Sequence, residues 1–209
     1  LKSLALVTAG SGVAIGLPPN FGIGARDQAG KLPAARGLRA IVSGSCSTAT
    51  NAQVADFISR GGSAFAIDPL ELANGADVPG KALDWARERA ASGPVLIYAT
   101  ATPDAVRGVQ ARLGVAQAGE IVEYALSSIA RGLAVLGVSQ LIVAGGETSG
   151  ACVGALGIQS MRIGPQIVPG VPWCHAVAPC SKDGSIHIAL KSGNFGGPDF
   201  FTHAFDVLS

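Results

Sequence analysis

"QLIVAGGETSGACVGALG", residues 140–157, carries a run of apolar residues into two glycines, a carboxylate and two hydroxyls, and then into a second apolar stretch. Leu141, Ile142, Val143 and Ala144 follow one another without a polar break, so both faces of the segment need cover, as in a strand inside a parallel sheet. Ala151, Val153, Ala155 and Leu156 then mark a short helix. A strand that breaks at glycine directly into a helix places unpaired amides and the positive end of the helix dipole at the carboxyl edge of the sheet. Ligands of open α/β sheets gather at that edge. The stretch therefore reads as strand, anion-binding turn and helix.

The same grammar recurs along the chain. "SLALVTA" (3–9), "LRAIVSG" (38–44), "SAFAID" (63–68) and "PVLIYAT" (94–100) are expected strands beside "QLIVAG" (140–145). Between them "TATNAQVADFISRGG", "KALDWARERAASG" and "GEIVEYALSSIARGLAVLG" read as helices. In the last, Ile121, Ala125, Ile129 and Leu133 recur every four residues, joined by Val122, Leu126 and Leu136, with Gly137 as the stop. Strand and helix in alternation predict an α/β fold: a mainly parallel sheet with right-handed crossovers and helices on both faces. After Gly157, "SMRIG", "WCHAVA" and "SIHIALKSG" predict additional strands near the C-terminus, the last with Ile186, Ile188 and Leu190 alternating. "GPQIVPGVP" and "PCSKDG" punctuate them. "DFFTHAFDVL" closes the chain as a helix with Asp199 as its N-cap. With no repeat or clear linker, one α/β domain over residues 1–209 is the simplest organisation.

Bulk properties narrow the function. The 209 residues are 48% hydrophobic, with a mean hydropathy of +0.41, enough to build a core. Only 14% are charged and the net charge is +1, so neither a basic surface for nucleic acid nor an acidic tail is present, and a small molecule is the expected partner. The 29 glycines are about twice the usual share of roughly 7% and sit mostly at the ends of apolar runs. Cys46, Cys152, Cys174 and Cys180 form no C-x-x-C pair and read as reduced thiols of a cytoplasmic protein. No stretch has the length of a membrane span, and the apolar run Leu4–Val7 is too short for a secretory signal. Met161 is the sole methionine, so the chain is expected to be part of something longer.

Three loops carry the candidate chemistry. "IVSGSCSTATNAQ" (41–53) places Ser43, Ser45, Ser47, Thr48 and Thr50 around Gly44 at a helix start, suited to an anion or simply to capping. In "VAGGETSGACVGALG" (143–157), Gly145 and Gly146 let a ligand approach the backbone, and Thr148 and Ser149 offer hydroxyls. Glu147 either holds magnesium-bound water or a ribose hydroxyl, or favours the helix N-terminus. "LKSGNFGGPDFF" (190–201) sets Lys191, Ser192, Gly193, Asn194 and Gly196 after another strand, the lysine reading either as a phosphate contact or as a solvated strand end. "GSGVAIG" (10–16) misses the dinucleotide spacing by one residue, and no Walker A motif occurs. Cys174, His175, Cys180 and His187 match no standard zinc spacing, and the histidines lack a triad context.

Taken in order, "VSGSCSTATNAQ", "VAGGETSGACVGALG", "RIGPQIVPGVPW" and "LKSGNFGGPDFF" resemble the characteristic blocks of the C-terminal domain of the four-carbon acid sugar kinase family, and "LVTAGSGVAIGLP" resembles the segment preceding them. The resemblance spans nearly the whole chain. It implies ATP, with Mg2+, bound by this domain, and a phosphate transferred to threonate, erythronate or a 3-oxo-tetronate held by an N-terminal domain. Its nucleotide contacts fall on Ser43 and Ser45, on Gly145, Gly146, Glu147 and Thr148, and on Gly193, Asn194 and Gly196. The family's aspartate-rich N-terminal substrate motif is missing, so residues 1–35 are expected to be a lead-in from an absent substrate domain, and this chain alone is expected to be inactive. Alternatives from other classes are a non-catalytic phosphometabolite-binding module and a dinucleotide-dependent oxidoreductase.

Overall fold

Among the residues that the computed structural model describes, 3–9, 11–24 and 30–208, strand formation begins at residue 38, not at residue 3. The elements run β1 (Leu38–Ser43), α1 (Thr48–Ser59), β2 (Ser63–Ala66), α2 (Pro69–Ala73), α3 (Val78–Arg89) and β3 (Val95–Tyr98). They continue through α4 (Pro103–Leu113), α5 (Val115–Val135), β4 (Val138–Ala144), α6 (Gly146–Ala155), β5 (Met161–Val168), β6 (Val171–Val177), β7 (Ser185–Lys191) and α7 (Phe200–Asp206). The seven strands form one sheet in the order β2-β3-β1-β4-β7-β6-β5. The first five of that order are parallel, whereas β6 runs antiparallel to both β7 and β5.

The unbroken apolar runs are explained by two cores, one on each face. Successive side chains of a strand point to opposite sides. Ala40, Val42, Val95, Ile97, Leu141 and Val143 accordingly meet α3, α5 and α6 through Ala82, Ile129, Leu133 and Cys152. Ile41, Leu96, Ile142 and Ala144 meet α1 and α7 through Val54, Phe57, Phe201 and Phe205. Trp173 joins this second core and donates its indole N–H to the Ala204 carbonyl at 2.7 Å, which fastens α7 to the antiparallel end of the sheet. The expected α/β class, with helices on both faces and extra C-terminal strands, is the observed architecture.

Two expectations about elements need correction, and two helices were not anticipated. "SLALVTA" (3–9) is not a strand but exposed irregular chain, because no neighbour among the described residues offers it ladder hydrogen bonds or cover. The mis-spaced "GSGVAIG" that follows contains a 3-10 helix, Ser11–Gly16. "GPQIVPGVP" is less a spacer than a hairpin: β5 and β6 extend into it and turn at Pro169 and Gly170. Pro165 is tolerated there because β5 is the sheet edge. Helices α2 and α4 lack a strong apolar signal, and neither buries a residue. Each starts instead from a capped proline, Asp68 before Pro69 and Thr102 before Pro103.

Candidate nucleotide site

At the carboxyl edge of the sheet, β1, β4 and β7 lie side by side and each opens into one of the three loops read from the sequence. Backbone bonds knit the loops together. The amides of Gly44 and Ser45 donate to the Ala144 carbonyl at 2.9 and 3.1 Å, and the Gly145 amide donates to the Lys191 carbonyl at 2.8 Å. The first and third loops also join through side chains. Ser47 Oγ donates to the Gly193 carbonyl at 2.6 Å, and Gln53 Nε2 reaches the carbonyls of Phe195, Gly196 and Gly197 at 2.9 to 3.1 Å.

Two helix N-termini meet here, and they differ. Helix α1 is capped, since Ser47 Oγ accepts from the Thr50 amide at 3.1 Å. Helix α6 begins after Gly145 with no side-chain cap, so its first amides have no internal partner to compete with an anion. Ser149, one turn in, has a buried Oγ without a hydrogen-bond partner. A Cβ built on Gly146 meets nothing within 4 Å, so this glycine faces open space, whereas one on Gly145 would stand 2.8 Å from Thr148 Oγ1 and 3.2 Å from the Ser45 amide nitrogen. Gly145, at φ +129°, lets the loops approach one another, and Gly146 leaves room for a ligand.

The candidate residues thus divide. Ser45, Gly145, Gly146, Glu147, Thr148 and Gly193 share one edge, with Asn194 and Gly196 in the same loop as Gly193. Ser43 is buried on β1 and its Oγ bonds Thr100 Oγ1 at 2.7 Å, beneath the loops. Thr148 is buried as well, and its hydroxyl donates to Glu123 Oε1 at 3.0 Å instead of facing outward. Glu147 is exposed in the first turn of α6.

Beside the cradle lies a cavity of about 460 Å3, sharing Gly44, Cys46 and Glu147 with it. Tyr98, Val106, Val109 and Val122 make its wall largely apolar, and Glu123 supplies a carboxylate. Glu123 Oε2 is buried without a hydrogen-bond partner. Burial pushes the Glu123 carboxyl above its ordinary range, the Thr148 hydroxyl opposes that, and the negative Glu147 adds to it. The volume and the mixture of apolar wall and few polar groups suit a small organic ligand.

Residue-by-residue reading missed Glu123, Gln53 and the true setting of Lys191, which is fully buried. Glu123 stood inside an amphipathic helix and looked like part of its polar face. The lysine carried a legible signal: it alternates with His187 and Ala189 along β7, a strand flanked on both sides. As for the other tempting cluster, His175 and His187 are ring neighbours at 4.9 Å, and His187 Nε2 lies 3.0 Å from the Pro33 carbonyl. All four cysteines are free.

An open α/β sheet with an uncapped helix start, glycine loops and an adjoining apolar cavity is an arrangement suited to an anionic ligand such as a nucleotide. Residues 40–201 match the family model described as nucleotide-binding C-terminal domain, and the chain belongs to that family. It is 52% identical over 210 residues to a 3-oxo-tetronate kinase of Burkholderia multivorans, covering 99% of this chain and 48% of that protein. A 3-oxo-tetronate kinase of Cupriavidus necator is 49% identical, again over 99% of this chain and 47% of the relative. A crystal structure of a Haemophilus influenzae protein of the family DUF1537 superposes with a TM-score of 0.81 at 34% identity, covering 100% of this chain and 49% of that one. The chain spans about half the length of the relatives it matches. Among the described residues no helix is long and apolar enough to cross a membrane.

Proposed function

We infer that the chain binds ATP with Mg2+ as the nucleotide half of a kinase acting on four-carbon acid sugars. The observation that carries this reading is the uncapped start of α6 facing open space at Gly146, between two further loops and beside an apolar cavity. The phosphate chain lies along the Gly146, Glu147 and Thr148 amides, with the unpartnered Ser149 hydroxyl as a further donor. The base and ribose enter the cavity against Tyr98, Val106 and Val122, where Glu123 Oε2 accepts from a ligand hydroxyl or amine.

Glu147, exposed and acidic beside the phosphates, is the residue suited to hold Mg2+ through its waters, a role that gives a carboxylate a place in an anion site. Bound there, Mg2+ would supply charge neutralisation for the transferring phosphate. The chain's own residues position the nucleotide, and positioning with charge stabilisation supplies most of phosphoryl-transfer catalysis. The names of the curated relatives support 3-oxo-tetronate as the acceptor. The acid sugar and its general base belong to an N-terminal domain, with residues 1–35 as its lead-in; residues 40–201 are those that match the nucleotide-binding family.

Calorimetry of the folded protein with Mg-ATP tests the reading, and saturable binding is expected. Gly146→Val, whose side chain meets open space, is expected to abolish binding while leaving the melting temperature within a few degrees. Absence of saturable heat at millimolar ATP, or normal binding by the variant, counts against it. In a thermal-shift panel, stabilisation by phosphosugars and not by ATP would favour the metabolite-binding alternative.

A further inference from the structure

Lys191 ends β7 with no exposed surface at all. Its ammonium donates to Thr50 Oγ1 and to the Gly193 carbonyl, each at 3.0 Å, and to the Ser192 carbonyl at 3.2 Å, while Nζ lies 5.9 Å from the centroid of the Phe200 ring. All three protons are therefore engaged inside the protein, and none is left to reach a ligand. Its own carbonyl accepts from the Gly145 amide. One residue is thus bonded to the first loop through Thr50, to the second through Gly145 and to the third through Gly193.

Among the described residues no carboxylate forms an ion pair with this lysine. Burial alone draws its pKa down to about 8, which still leaves the ammonium charged at neutral pH. A buried, unpaired cation is costly, and an apolar side chain of the same length would fill the space without that cost. The charge becomes intelligible if an anion arrives above it.

We propose that Lys191 is a positioning residue of the nucleotide site: without touching the ligand, its ammonium ties the first loop to the third, beside the second loop that its backbone carbonyl holds, and supplies the fixed positive charge that favours a chain of phosphates. The proposal rests on the nucleotide reading above and deepens it. In low-dielectric surroundings a fixed charge acts beyond contact distance, so its effect grows with the charge of the ligand. A hydrogen-bonded tie without that field would affect all nucleotides alike.

The test compares ATP, ADP and AMP, each with Mg2+, on the full-length protein by calorimetry. The wild type is expected to prefer ATP over AMP. Lys191→Met, apolar and of similar length, and Lys191→Gln, which keeps an N–H donor for the Gly193 carbonyl, are both expected to lose about tenfold or more for ATP, less for ADP and least for AMP. Equal losses for the three ligands, or restoration of the preference by glutamine, would reduce the lysine to a structural tie and overturn the proposal. Should the methionine variant show no cooperative melt, the glutamine variant carries the comparison. A wild type that binds all three equally overturns the proposal alone, while one that binds none of them overturns the nucleotide reading beneath it.

Discussion

Gly145 and Gly146 stand side by side and lack a Cβ for different reasons. The first has protein atoms where its side chain would be, and the second has none. Sequence treats the pair as one feature, although only Gly146 offers a clean probe of the ligand space. Glu123 makes a similar point for charge. Its carboxyl is raised above the ordinary value of 4.5, chiefly by burial, so the folded state holds that proton more tightly than the unfolded chain. The stabilising contribution is present below 4.5 and is lost as pH rises from there through the raised value. Glu123→Gln keeps an acceptor for Thr148 and removes the charge. Its melting temperature relative to the wild type is expected to climb between pH 4 and pH 7, and a difference independent of pH would show that burial does not act on this group.

Helix ends set the character of the site at the next scale. The start of α1 also points its amides at the loops, yet Ser47 closes that terminus and leaves α6 as the open one. Ser47→Ala removes the cap and the bond to the Gly193 carbonyl, and is expected to cost about 0.5–2 kcal/mol in urea unfolding. Nucleotide affinity should fall with it, since the third loop loses a tie. Helix α7 covers one face of the sheet, with Phe200, Phe201, Ala204 and Phe205 buried in the core it shares with α1. Phe201→Ala is expected to cost about 3–5 kcal/mol. A loss below about 1 kcal/mol would mean that α7 is not part of the cooperative core.

Across the whole molecule, alternation of apolar runs with helical stretches was enough to specify the class of fold, because a parallel sheet covered on both faces demands strands without polar breaks. The three strand-end loops were legible for the same reason: glycine and hydroxyl residues cannot continue a buried strand, and a following helix presents its amides there. The run at 3–9 shows the limit of that reasoning. Local pattern marks it as a strand, but a strand exists only where a neighbour satisfies its backbone, and no neighbour for it occurs among the described residues. Composition and order of segments therefore determined the α/β architecture and the positions of the loops. Tertiary structure alone decided which helix start stays open, that Thr148 turns inward to Glu123, and that Lys191 is a buried cation bonded to all three loops. Those outcomes depend on which strands become neighbours, and side chains remote in sequence meet only after the sheet has assembled.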